Sequence, residues 1–205
     1  HRGCWKENIE KNRAIAFNRS FSFGFGTETD VRDYKGELVV SHDIADEACM
    51  SVKEFFKIYN KYEEKPPLAL NIKADGLQRK LRELLEKYSI ENYFVFDMSV
   101  PDGLWYLKQN IKSFTRESEY EKYPAFYDEA CGIWLDEFKT HWIDQETIKK
   151  HIKNKKKICI VSPDLHKREY YKEWRDYKRI EKDLGKTNLM ICTDYPEEAK
   201  EFFNE

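Results

Sequence analysis

The side chains able to do chemistry crowd into the first forty-three residues: His1-Arg2-Gly3, Glu7-Asn8, Gly26-Thr27-Glu28-Thr29-Asp30-Val31, and Leu38-Val39-Val40-Ser41-His42-Asp43. Glu28 and Asp30 stand two apart in a strand-type run, and period-two alternation puts both carboxylates on one face, a few ångströms apart. Like charges so placed repel unless something positive lies between them, and a hard divalent cation such as Mg2+ or Ca2+ meets that need. A solvated strand face is the competing reading, and the pair alone does not choose between them. His1 and His42 each abut a strand end, and each is followed by an Arg or Asp able to fix an anion or orient an imidazole. The chain has 5 histidines, and two of them flanking a carboxylate pair point to an acid and base couple. One imidazole takes a proton from a hydroxyl nucleophile while an imidazolium gives one to the leaving alkoxide, each worth roughly 10²- to 10⁴-fold. The planar fork of Arg2 suits a phosphate oxygen, against the plainer role of a surface ion pair.

Such groups need a scaffold, and short β-branched or aromatic runs alternate with amphipathic helical stretches along the whole chain. Strands are expected at Ser22 to Val31, Glu37 to His42, Leu68 to Lys73, Tyr93 to Ser99, Ser113 to Glu117, Gly132 to Phe138, Lys157 to Ser162 and Asn188 to Thr193. Helices are expected at Glu7 to Arg19, Val52 to Lys61, Leu77 to Tyr88, Gln145 to Lys153, Glu169 to Lys182 and Pro196 to Phe203. Strands mostly followed by helices imply an α/β fold with parallel pairing, either an open doubly wound sheet or a closed (β/α)8 TIM barrel. No GxGxxG follows a strand, which weighs toward the barrel. Glu37 to His42 reads as a hairpin extension of the preceding strand. The first barrel strand is then expected to be truncated, ending at His1.

The 205 residues are expected to form one domain, since no linker or low-complexity tract interrupts them. Lys and Arg number 36 against 38 Asp and Glu, a net charge of -2, so no excess of one sign favours nucleic acid or anionic lipid. No stretch approaches the roughly 18 apolar residues that cross a bilayer. Cys4, Cys49, Cys131, Cys159 and Cys192 form an odd set without CxxC spacing, which argues against a disulfide framework or zinc finger. The cytoplasm is the default location, and a start at His1 rather than Met leaves a removed leader open.

The runs HRG, EN, GTETDV and VVSHD, in that order, resemble the glycerophosphodiester phosphodiesterase family, whose barrel is shared with phosphatidylinositol-specific phospholipases C. The likeness extends to Leu70-Asn71-Ile72-Lys73, similar to the family's Glu-x-Lys strand, and to Cys192-Thr193-Asp194-Tyr195-Pro196, similar to its closing Thr-Asp-x-Pro. The resemblance implies a (β/α)8 barrel over residues 1–205 and a metal-dependent phosphoric diester hydrolase of lipid metabolism, with chemistry at the carboxyl ends of the strands. It implies His1 and His42 as the general acid/base pair, Arg2 and Lys73 as substrate-phosphate ligands, and Glu28 and Asp30 as ligands of Mg2+ or Ca2+. It also implies that a neighbouring substrate hydroxyl serves as nucleophile, giving a cyclic intermediate before hydrolysis. The departure is Asn71, which stands where the family has a third metal-binding glutamate. Its amide oxygen can coordinate a hard cation with one less negative charge, and Asp75, Asp97 and Glu117 are the carboxylates available to compensate. The partner is then a small phosphodiester. A degenerate barrel that binds a phosphorylated alcohol without turnover is the alternative, with Asn71 as its only support. Lyase chemistry on the same barrel is a third.

The remaining candidates are weighed more plainly. Trp134, Asp136 and Glu137 are placed either to wall the alcohol part of a substrate or to pack and cap, and packing is favoured. His141, His151 and His166 are expected to be solvated. Cys159 and Cys192 read as small core residues, and Lys150 to Lys157 as an exposed helix end.

Overall fold

Residues 27–34 form strand β1 (Thr27–Tyr34), which turns through Lys35 and Gly36 into β2 (Glu37–Val40). Both turn residues have positive φ, 47° and 81°, the two-residue turn whose twist suits a hairpin and which favours glycine at its second position. The expected hairpin is therefore present, with Val31 opposite Val40. A computed structural model describes residues 1–185 and 189–204, in two compact units, His1–Ser113 and Phe114–Glu205.

The first unit holds a four-stranded sheet in the order β2-β1-β3-β4, with β3 at Leu68–Ile72 and β4 at Tyr93–Phe96. β1, β3 and β4 run parallel. One face of this sheet carries Val31, Leu68, Leu70, Ile72 and Val95 into an apolar core. Helices α1 (Ala14–Ser22), α2 (Val52–Tyr59) and α3 (Gln78–Lys87) bury Phe17, Phe21, Phe55, Phe56, Leu81 and Leu85 in the same core, each such side chain stabilising by roughly 1.5 to 3 kcal/mol. A reciprocal cap starts α2: the Ser51 side chain accepts from the Glu54 N–H, and Glu54 accepts from the Ser51 N–H.

Three elements differ from expectation. The helix expected from Glu7 to Arg19 is instead a 3-10 turn at Asn8–Glu10 followed by α1, because Asn12 takes a left-handed φ of 58° that no α-helix continues through. That helix then runs to Ser22, so the strand expected from Ser22 begins only at Thr27. Helix α4 (Val100–Lys108) has no counterpart among the expected helices, since Pro101 and Gly103 mask its periodicity. Its start is nonetheless encoded: Pro101 sits in the first turn, where no N–H is missed, and the Ser99 hydroxyl accepts from the Asp102 N–H.

The second unit holds a parallel sheet in the order β5-β6-β7-β8: Phe114–Ser118, Gly132–Asp136, Lys157–Val161 and Met190–Cys192. Asn188, the expected start of the last strand, lies outside the described residues. Helices α5 (Gln145–Lys153), α6 (Tyr171–Leu184) and α7 (Pro196–Asn204) cover one face, and Ile133, Leu135, Ile158, Ile160, Ile148, Trp174 and Tyr177 form the core between. Cys159 and Cys192 are buried, as expected of small core residues. Among the described residues the strands form two four-stranded sheets, and Ser113, just before β5, makes a parallel bridge to Val95 of β4. No helix among the described residues is long and apolar enough to cross a membrane.

Candidate active site

Register carries the site. Glu28 pairs with Ala69, and Asp30 pairs with Asn71. In parallel strands about 4.8 Å apart, partners share a face, so Glu28, Asp30, Asn71 and Lys73 stand together on the side of the sheet opposite the apolar core. Phe94 and Phe96, the β4 partners of Ala69 and Asn71, wall the same face and are buried. The carboxylates are therefore buried on β1, and the solvated reading of the pair fails.

The chain segment before α1 lies along the end of β1. The Arg2 N–H donates to the Glu28 carbonyl at 2.9 Å, and the Gly3 N–H donates to Thr27 Oγ1 at 3.0 Å. Gly3 has φ of 85°, and a Cβ there would stand 2.8 Å from that of Ala16, so glycine is required twice over. This docking brings His1 Nε2 to 3.9 Å from Glu28 Oε2 and Arg2 Nε to 3.2 Å from Asp30 Oδ2. Lys73 Nζ approaches Asp30 Oδ1 at 3.4 Å.

Glu7 and Asn8, singled out in the sequence, are exposed in the 3-10 turn. Asn12 is the residue that reaches the carboxylates: its Nδ2 donates to Asp30 Oδ2 at 2.8 Å, and its Oδ1 accepts from the Thr29 hydroxyl at 2.9 Å. The available signal was modest, an asparagine just ahead of a helical run, where its tolerance of left-handed backbone is useful.

The environment leaves this cluster electrically unfinished. Burial first, and the Asp30 charge second, push the Glu28 carboxyl up from 4.5 to about 8. Asn71 Nδ2 donates to Asp97 Oδ2 at 3.1 Å, while Asn71 Oδ1 is buried without a hydrogen-bond partner. Such an orphan costs about 1 to 3 kcal/mol unless a ligand meets it. Two buried carboxylates and an unpartnered amide oxygen on one face are the donor set of a hard divalent cation, and these residues fit such an ion.

His42 follows β2 and stands 44% exposed, its Nδ1 2.9 Å from Asp43 Oδ1. Arg32 Nη2 donates to the His42 carbonyl at 3.2 Å, and the Ser41 N–H donates to the Asp30 carbonyl at 3.1 Å. The backbone leading to His42 is thus fastened to the cation-side strand. Of the compensating carboxylates, Asp75 accepts from the Ser99 hydroxyl and Glu117 belongs to the second unit, paired with Lys150 and His151. Asp97 alone bonds Asn71.

The second unit has its own carboxylate and imidazole cluster, Glu137, His141 and Glu173, with ligand atoms within 4.8 Å of one another. Glu137 already accepts from His141 Nδ1, the Trp142 and Ile143 N–H groups and the Tyr177 hydroxyl. Arg168 holds one oxygen of Glu173. These donors tie Glu137 into the structure, while the second oxygen of Glu173 is buried without a hydrogen-bond partner. The solvated reading of the three later histidines fails for His151, which is fully buried between Tyr127 and Glu117; His141 is exposed and pairs with Glu137, and half-buried His166 has Nε2 2.6 Å from Asp136 Oδ1. Each pairing bridges residues far apart in sequence or across a loop, which single-sequence periodicity does not register. Trp134, Asp136 and Glu137 are buried, in keeping with packing and capping.

No family model matches the chain, and no curated protein sequence does. Solved structures do. A candidate glycerophosphodiester phosphodiesterase from Galdieria sulphuraria is 19% identical, with a TM-score of 0.79 over 100% of this chain and 96% of its own. The glycerophosphodiester phosphodiesterase from Agrobacterium tumefaciens is 15% identical, with a TM-score of 0.70 over 100% and 97%. A glycerophosphoryl diester phosphodiesterase from Parabacteroides distasonis is 14% identical, with a TM-score of 0.60 over 93% and 79%. The chain therefore shares the fold of glycerophosphodiester phosphodiesterases, the family its motifs resemble.

Proposed function

We propose that this chain is a metal-dependent phosphoric diester hydrolase that cleaves a glycerophosphodiester-type substrate to an alcohol and glycerol phosphate. The observation that carries this reading is the convergence of Glu28, Asp30 and the unpartnered Asn71 oxygen on one buried face, with His1, Arg2 and Lys73 at its edge. Likeness to three phosphodiesterase structures, two of them over the full chain, supports it, and also supports reading residues 1–205 as one (β/α)8 domain.

Glu28, Asp30 and Asn71 would hold Mg2+ or Ca2+. When bound, such an ion supplies charge neutralisation at a phosphodiester oxygen. Arg2 and Lys73, now engaged with Asp30, offer the fixed positive charge that holds the remaining phosphoryl oxygens. His1, beside Glu28, and His42, its Nδ1 oriented by Asp43, form the acid/base couple. For His42 that leaves Nε2 as the proton-carrying atom. One takes a proton from the attacking hydroxyl, in this reading the substrate's own, and the other gives one to the leaving alcohol oxygen. Water then gives up a proton as it opens the resulting cyclic phosphate, and the ring oxygen released is protonated to give glycerol phosphate.

Hydrolysis of glycerophosphocholine, followed by release of choline with and without added MgCl2 or CaCl2, tests this. Turnover should require the cation, and His1→Ala and His42→Ala should each lower it by at least about a hundredfold. Near-normal cleavage by both variants would reject the assignment. Asn71 favours one second reading, a module that binds the phosphorylated alcohol without turnover. Such a module would raise its melting temperature with glycerol phosphate and release no choline.

A further inference from the structure

We propose that Asp97 is a positioning residue of the cation site, fixing the amide of Asn71 so that its oxygen takes the place of a third carboxylate. This rests on the cation site proposed above and goes beyond it, because an amide, unlike a carboxylate, has a wrong way round. Its oxygen and its NH2 group have nearly the same shape, and its terminal torsion is soft. Something must decide which end faces Glu28 and Asp30.

Asp97 decides it. An ionised carboxylate only accepts hydrogen bonds, so at 3.1 Å its Oδ2 can receive only the Nδ2–H of Asn71. With the NH2 group held there, Oδ1 is left as the buried, unpartnered atom on a residue paired directly with Asp30. The carboxylate also polarises the amide and raises the electron density on that oxygen. The backbone is arranged for this contact: Asp97 directly follows Phe96, the β4 partner of Asn71, and turns out of the strand with a left-handed φ of 64°. Aspartate, asparagine and glycine are the residues that tolerate such a turn. The other carboxylate near this strand end, Asp75, is taken up by Ser99.

That backbone constraint also supplies clean variants. Asp97→Gly removes the acceptor and accepts the left-handed φ without strain. Asp97→Asn removes the charge but keeps a carbonyl that accepts the same hydrogen bond. Calorimetric titration of the full chain with MgCl2, MnCl2 and CaCl2 should show Asp97→Gly binding at least about tenfold more weakly than the parent, as expected for loss of a group orienting a metal ligand. Asp97→Asn should stay within about threefold of the parent. In the cation-free protein, the Asn71 side-chain amide signals in a 15N NMR spectrum should keep their positions and slow exchange in Asp97→Asn and lose both in Asp97→Gly. Undiminished binding by Asp97→Gly would overturn this inference while leaving the cation site standing. Equal losses in the two variants would also overturn it, assigning Asp97 to charge rather than orientation. Absence of cation binding by the parent protein would overturn the site itself, and with it this role.

Discussion

Glu28 in the first unit and Glu137 in the second are both buried carboxylates at parallel strands, and they have opposite fates. Burial acts to raise both. For Glu137 the hydrogen bonds from His141, Tyr177 and the Ile143 N–H outweigh burial and hold the carboxyl below its ordinary range. For Glu28 the neighbouring Asp30 adds to burial, and the carboxyl rises to about 8. The lesson is that burial alone does not mark a functional group. A carboxylate that accepts from several donors of its own chain is a structural fastener, and one raised by burial beside the unmet oxygens of Asp30 and Asn71 points to a ligand.

The largest expected effect comes from cutting the fastener. Glu137→Ala strands two N–H groups and the Tyr177 hydroxyl and should cost about 3 to 5 kcal/mol in urea unfolding. Glu28→Gln should cost nothing in the cation-free protein at neutral pH, and a comparable loss in both variants would dissolve the contrast.

The next effect is in pH. The folded chain holds the Glu28 proton up to about 8 while the unfolded chain releases it near 4.5. The folded state therefore binds more protons in this window, and stability falls as pH rises across it. The loss should be on the order of 3 kcal/mol between pH 4 and 8, seen as a declining melting temperature that Glu28→Gln flattens.

Cation addition should reverse that decline. At about a hundred times Kd, Mg2+ or Ca2+ should add about 2.7 kcal/mol to the parent and to Glu137→Gln, and none to Glu28→Gln. Stabilisation that vanishes in the Glu137 variant instead would move the ion to the second cluster. The smallest effect belongs to His141, whose protonated form is favoured by the bond to Glu137. His141→Gln should remove about 1 kcal/mol below the unfolded value of 6.5. The difference should fade as pH rises through the higher folded value, because the neutral ring loses the charge that Glu137 rewards.

Much of the first unit's site was legible because its groups are strand neighbours. Alternation alone put Glu28 and Asp30 on one face, and Glu37 to His42 read as a hairpin extension of the preceding strand. The resemblance to known phosphodiesterases located Asn71 and Lys73. Asn12 and Asp97 were harder to see: each bonds residues many positions away, set by where the chain leaves a helix or strand in a left-handed turn. Helix α4 was hidden by Pro101 and Gly103, whose low helix propensity is harmless only once Ser99 caps the first turn.

By itself, the sequence determined the alternation of strands and helices and the placing of Glu28 and Asp30 on one face of a strand. These follow from periods of two and 3.6 residues, which are local properties of the chain. Only the tertiary structure decided which carboxylates are satisfied and which are left unmet. That distinction depends on register between distant strands and on donors such as Tyr177 and Arg2, which arrive from elsewhere in the chain.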